Sequence, residues 1–316
     1  MSETKEREWA GIFAAIPTPF TSSLALDFDQ LSNYLEWLLA HESVDGVVCG
    51  AHAGEVTNLT NGEIVELAAA CASIVRGRAK VVAAHLAEGV VPAQKLAREL
   101  TTTGVDALLV MPPHHWLRFG KTPVESASYV EGVAAATALP LIIHEYPWDT
   151  KARYTPGEVA HFARIPNVKA IKSGTRNLTA YAQNIAAVRA ADSTVSILTC
   201  HDEALLGTMI QDVDGALVAI GALLPDEVAG IFTAARSGDL NAARSIERRI
   251  APITDVFYGT GEVGGHAHAL LKAGLNVIGV LENRVMRPPI ESIEGEELER
   301  VRHAVESSGL PAVASL

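Results

Sequence analysis

The sequence predicts an α/β protein whose parallel strands close into a (β/α)8 barrel, the TIM-barrel class, with a C-terminal helical extension. Three observations carry that expectation. Eight short Val/Ile/Leu/Ala-rich bursts recur along the chain, each apolar on both faces, as strands covered by helices on one side and packed inward on the other must be. Amphipathic helical segments separate them. The turns after the early bursts do not spell the G-x-G-x-x-G that an open doubly wound sheet would usually carry.

The bursts, in order, are "GIFAAIP" (11–17), "GVVCG" (46–50), "KVVAAHL" (80–86), "ALLVMP" (107–112), "PLIIHEY" (140–146), "VKAIKS" (168–173), "VSILTC" (195–200) and "GALVAIG" (215–221). After the first, "DFDQLSNYLEWLLAH" aligns Leu31, Leu35, Leu38 and Leu39 on one helix face, with Asp27 and Gln30 at capping-box spacing. "TNGE" (60–63), "TPVE" (122–125) and "TPGE" (155–158) each set Thr three residues before Glu, and the last two add Pro at the first helical position. From about residue 225 the strand pattern stops. "DEVAGIFTAARSGDLNAARSIERRI" and "GGHAHALLKAGLNVIGVLENR" read as helices, and "MRPPIES" breaks the chain before a last charged helix. The barrel is therefore expected over 1–236 and a helical extension packed on it over 237–316.

Composition excludes some functions. The 316 residues are 48% hydrophobic and 20% charged, enough for a sizeable core. A net charge of -12 argues against a nucleic-acid surface and an anionic membrane. Cys49, Cys71 and Cys200 are too few and too scattered for a disulfide framework, and "MSETKEREW" lacks the apolar core of a signal peptide, so a reducing cytoplasm is expected. No run of 18 apolar residues predicts a membrane span.

In this class of barrel the chemistry sits at the C-terminal mouth, on strand ends and the loops that follow. Those positions hold His52, His85, His114, His115, His144, Lys172 and His201. Lys172 ends an apolar strand. One reading is a lysine whose stem covers apolar surface. The other is a nucleophilic lysine, because a dry strand end favours the neutral amine that condenses with a carbonyl. The histidines suit either hydrogen-bonded core positions or a working cluster. A metal centre built from His52, His115 and His144 is an alternative, but no strand carries an H-x-H pair, and the only HAH, 266–268, falls in the C-terminal helices. A binding protein that kept the fold and lost the chemistry is a third reading. Cys49 and Cys200 read as small core residues.

Six segments in this order resemble the dihydrodipicolinate synthase / N-acetylneuraminate lyase family of Schiff-base aldolases and dehydratases. They are "IPTPF" (16–20), "AHAGEVTNLT" (51–60), "LLVMPPHH" (108–115), "IIHEYPWDT" (142–150), "IKSGTRNL" (171–178) and "HALLKAGLNVIGVLENRVMRPP" (268–289). The resemblance implies a pyruvate-type 2-keto acid bound covalently to Lys172 as an imine, with no other cofactor and no metal. It implies a keto-acid carboxylate held by His52, Ala53 and Gly54, with Leu217 as a further substrate-binding position. It implies a homotetramer or homodimer, in which His115, with Trp116, reaches a neighbouring subunit's site. The departures are specific. His52 and Ala53 replace the two loop threonines, His144 the tyrosine that shuttles the proton, and His115 the second tyrosine. Asp149 stands near where the synthase carries an arginine for the second substrate's carboxylate, so an acid replaces an expected cation. These changes point away from a true dihydrodipicolinate synthase. His144 is expected as general acid/base, because imidazole titrates nearer working pH than phenol, and a protonated His52 would aid carboxylate binding. Trp116, Tyr146 and Trp148 near the mouth suit a ligand wall, and equally loop packing or a subunit interface; Arg118, Arg153 and Arg176 suit anion contacts or solvated positions.

Overall fold

The computed structural model describes residues 7–259 and 265–310, with eight parallel strands closed in chain order at its centre. Part of the polar N-terminal stretch and the last six residues of the expected extension lie outside the described residues. The strands are β1 (Gly11–Ala15), β2 (Gly46–Cys49), β3 (Lys80–His85), β4 (Ala107–Val110), β5 (Leu141–Glu145), β6 (Val168–Ser173), β7 (Ser196–Thr199) and β8 (Gly215–Val218). Each falls inside one of the apolar bursts. Burial on both faces is why alternation is absent from them. Closure is made by Gly11–Ala14 pairing with Gly215–Val218.

Around the strands run α1 (Phe28–Leu38), α2 (Asn61–Val75), α3 (Val90–Thr101), α4 (His115–Phe119), α5 (Pro123–Ala134), α6 (Pro156–Ala163), α7 (Leu178–Ala191), α8 (Leu205–Met209) and α9 (Pro225–Ser237). Thr60, Thr122 and Thr155 form complete capping boxes with Glu63, Glu125 and Glu158. Each such cap is worth about 1 kcal/mol. The box expected at Asp27 is half made. Asp27 accepts the Gln30 N–H at 3.0 Å, but the Gln30 side chain turns away to accept the Glu282 N–H at 3.1 Å. A tertiary partner from the C-terminal region takes the place of the local one.

The extension consists of α10 (Leu240–Tyr258), α11 (Gly265–Val277) and α12 (Gly295–Ser307). Gly238 ends α9 in the left-handed region (φ 81°), where a glycine carries no Cβ penalty. Helix α11 is buried from Ala269 to Leu275, so it belongs to the core and not to a surface layer. At its centre Lys272 has a 1% exposed side chain. Its ammonium donates to the Thr18 carbonyl (2.9 Å), the Val285 carbonyl (2.7 Å) and Glu55 Oε1 (2.9 Å). Glu55 Oε2 in turn accepts the Arg287 N–H at 3.1 Å. A buried ion pair survives only when its remaining donors and lone pairs are satisfied, and here they are. It ties α11 to the loops after β1 and β2, at the edge of the barrel mouth.

Candidate active site at the barrel mouth

Lys172 lies on β6 with Cα partners His144 on β5 and Leu198 on β7. Partners on neighbouring strands point to the same face, so Lys172 and His144 share the barrel interior. Both are buried. Among the described residues the Lys172 ammonium has no hydrogen-bond or ion-pair partner, which sets it apart from Lys272.

Imidazoles surround it. His52, from the loop after β2, lies 5.6 Å from His144 and 5.8 Å from His114, between ring centres. Tyr146, two residues beyond His144, links two of them: its hydroxyl lies 2.9 Å from His114 Nε2 and 3.1 Å from His52 Nε2. The Tyr146 oxygen has one proton, so it donates to one imidazole and accepts from the other. His144 Nε2 faces Cys200 Sγ at 3.8 Å, and its buried Nδ1 has no hydrogen-bond partner among the described residues. Helix α11 folds His268 over the mouth.

Burial, with the Lys172 charge second, holds His52 and His144 well below the usual imidazole range. The same two causes draw His268 down to about 4. Burial lowers His114 as well, against the opposing pull of Glu88. This corrects two expectations. His52 is neutral at pH 7, not the cation expected. His144 is likewise neutral rather than poised at its midpoint.

The loop after β2 supplies a second feature. The Ala53 and Gly54 N–H groups donate to no acceptor among the described residues, whereas the neighbouring Glu55 and Val56 N–H groups bond back to His52 and Ala51. A Cβ on Gly54 would lie 3.0 Å from the backbone of Gly50, so the close turn requires glycine there. Two adjacent free N–H groups form a cradle for an anion. Leu217 is fully buried on β8, in register with Phe13 of β1.

His115 does not enter this cluster within the chain. It opens α4, its side chain is 43% exposed, and its Nδ1 pairs with Glu88 Oε2 at 2.7 Å. Its neighbour His114 turns inward. His85 and His201 also leave the site: their Nε2 atoms bond the carbonyls of Ala93 (2.8 Å) and Thr175 (2.9 Å). Arg176 is committed to Glu203 (2.9 Å) and the Gly174 carbonyl (2.8 Å). Arg153 lies on Trp148, 5.0 Å from its ring centre, and Arg118 lies by Phe119. Trp116 is buried against Tyr129. Asp149 is exposed on the turn after β5. Cys49 is core, as expected, but Cys200 is half-buried beside His144. His114, Cys200 and His268 were not assigned to the site from sequence. Only the strand-end position of the first two, and the HAH in an otherwise apolar helix, signalled them. Among the described residues no three His, Cys, Asp or Glu side chains converge on a point where a metal ion would sit.

Fold and site together define a barrel enzyme with an interior lysine on β6 at the C-terminal mouth. The model of the dihydrodipicolinate synthetase family matches residues 8–308, and the chain belongs to that family, a group of lyases of aldolase and synthase type. The 4-hydroxy-tetrahydrodipicolinate synthase of Moorella thermoacetica is 26% identical over 305 residues, covering 96% of this chain and 99% of its own. A probable 2-dehydro-3-deoxy-D-pentonate aldolase of Escherichia coli K12, YjhH, is 23% identical over the same shares. Among solved structures, YagE of Escherichia coli K12, a prophage protein crystallised with pyruvate, superposes with a TM-score of 0.87 at 21% identity, covering 96% of this chain and 99% of its own. At that identity the superposition speaks for the fold.

Proposed function

We propose that this protein is a Schiff-base lyase that cleaves, condenses or dehydrates a pyruvate-type 2-keto acid through an imine on Lys172. The observation that carries the reading is Lys172 itself: an interior lysine with no partner among the described residues, in register with a neutral imidazole. The pyruvate bound in YagE and the name of YjhH support it.

In this reading the amine adds to the keto carbon and water leaves. The resulting iminium accepts the electron pair of the bond that breaks β to nitrogen. The free N–H groups of Ala53 and Gly54, with His52, receive the keto-acid carboxylate. His144 takes and returns the proton, and the hydrogen-bonded His52–Tyr146–His114 chain runs beside it toward the half-exposed His114. Of the arginines that were candidate anion contacts, Arg176 is spent on Glu203, and Arg153 and Arg118 are drawn to aromatic rings. That favours an uncharged second reactant and a reaction other than that of a true dihydrodipicolinate synthase.

His115 enters the mechanism only if a second copy carries it to a neighbour's mouth. Dilution to a proven monomer tests this: a fall in activity places it there, and unchanged activity removes it.

Borohydride trapping with pyruvate, read by intact mass and peptide mapping, tests the whole reading. A reduced pyruvyl adduct on Lys172, absent from Lys172→Ala, is expected. No adduct with pyruvate or larger 2-keto acids overturns it.

A further inference from the structure

The reacting pair has few hydrogen bonds of its own. Among the described residues His144 Nδ1 has no hydrogen-bond partner, its Nε2 meets a thiol at 3.8 Å, and its ring lies on Tyr146 and His52, with centres 5.0 and 5.6 Å away. The Lys172 ammonium is unpartnered among the described residues. No hydrogen bond joins the two side chains, so the way β5 lies on β6, where they are Cα partners, is what brings them together. That pairing is irregular at its start, where the register shifts between Leu141 and Ile142. A one-residue slip in a strand sends every side chain to the other face, so something must hold the register above the irregularity.

The next pair along the two strands is Glu145 and Ser173, Cα partners whose side chains point to the opposite, outer face of the barrel. Both are buried, Glu145 completely. Ser173 Oγ donates to Glu145 Oε2 at 2.7 Å, and Asn184 Nδ2, from α7, donates to Oε1. The backbone closes in as well: a Cβ at Gly174 would overlap the Glu145 carbonyl oxygen, so the chain after Ser173 presses on β5 as only glycine allows. One carboxyl group thus joins the two strands that carry the reacting pair to the helix behind them. A buried carboxyl is costly to hold, and a purely apolar contact would serve packing alone at less cost.

We propose that Glu145 is a positioning residue: through Ser173 and Asn184 it locks the register of β5 on β6 and so keeps the His144 imidazole beside the Lys172 amine. The consequence for chemistry rests on reading Lys172 as the imine lysine; the consequence for His144 does not.

The test uses the full chain with Glu145→Leu, Glu145→Gln and Ser173→Ala. Two quantities are read: the His144 titration midpoint by NMR, and the rate against the half-saturating concentration of borohydride-trapped pyruvate. Glu145→Leu is expected to raise the His144 midpoint toward the ordinary imidazole value. It is also expected to slow trapping at least ten-fold with half-saturation within three-fold. Gln keeps one donor and one acceptor and is expected to restore most of both; Ser173→Ala, milder, is expected to fall between and serves if the Leu variant does not fold. A folded Leu or Ala variant with the wild-type midpoint and rate overturns the proposal. Equal losses in Gln and Leu also overturn it, because the acid and not its hydrogen bonds would then act. Wild-type protein that forms no pyruvate adduct overturns the imine reading instead, while the His144 midpoint still judges the lock.

Discussion

At the scale of single residues, the mouth is organised by one charge. Lys172 sits among His52, His144 and His268, and it holds all three low, second to burial itself. Neutral imidazoles can accept a proton from substrate, so His144→Phe should lower kcat by about 10²- to 10⁴-fold, the usual share of a general base. A variant with near wild-type turnover would remove His144 from that role. Tyr146→Phe breaks the hydroxyl link between His114 and His52 and should cost less, on the order of ten-fold, the worth of one good hydrogen bond. Glu145 behaves oppositely to the histidines. Burial pushes its carboxyl up to about 7. The folded state then binds a proton that the unfolded chain releases near pH 4.3, so stability is full below that pH and is lost as pH rises through about 7. Between pH 4.5 and 8, wild type should lose about 3 kcal/mol relative to Glu145→Gln in urea titrations. His201, drawn down to about 4 by burial and then Arg176, gives the acid limb: its contribution is lost as pH falls from about 6.5 toward 4.

At the scale of elements, much of the architecture was legible. All eight strands lie in the apolar bursts, because a strand buried on both faces leaves an unbroken Val/Ile/Leu/Ala signature. The three Thr-x-x-Glu helix starts also held, since both halves of the box are local. Gln30 departed because its partner, Glu282, comes from 252 residues away. The site was legible where strand ends dictate it, at Lys172 and His144, and less so on loops. His114 and His115 are adjacent, and the turn into α4, not their chemistry, decides which faces inward. His268 arrives on a helix whose docking over the mouth leaves no trace in the spacing of residues. That docking depends on Lys272. Lys272→Met leaves the Glu55 carboxylate buried without its cation and should destabilise by about 3–5 kcal/mol, measured by equilibrium unfolding. A loss under 1 kcal/mol would show that Glu55 finds another partner.

At the scale of the whole molecule, the barrel and the extension share one mouth. The rim combines the loop after β2, the inner ends of β5 and β6, and α11, so the site draws on distant parts of the chain. The net charge of -12 sets a long-range field that disfavours anionic reactants at low salt, and the Lys172 charge opposes it locally. Trapping with anionic pyruvate should therefore quicken as salt is raised from low ionic strength; a rate that falls would show that local attraction dominates.

The Glu55–Lys272 contact spans 217 positions. During synthesis the residues of β1 to β8 emerge first, and the ammonium that anchors the rim follows only after α10 has left the ribosome. Until then the Glu55 carboxylate has no such cation. The rim is thus the last part of the mouth that the growing chain can complete, since α11 follows all eight strands in sequence.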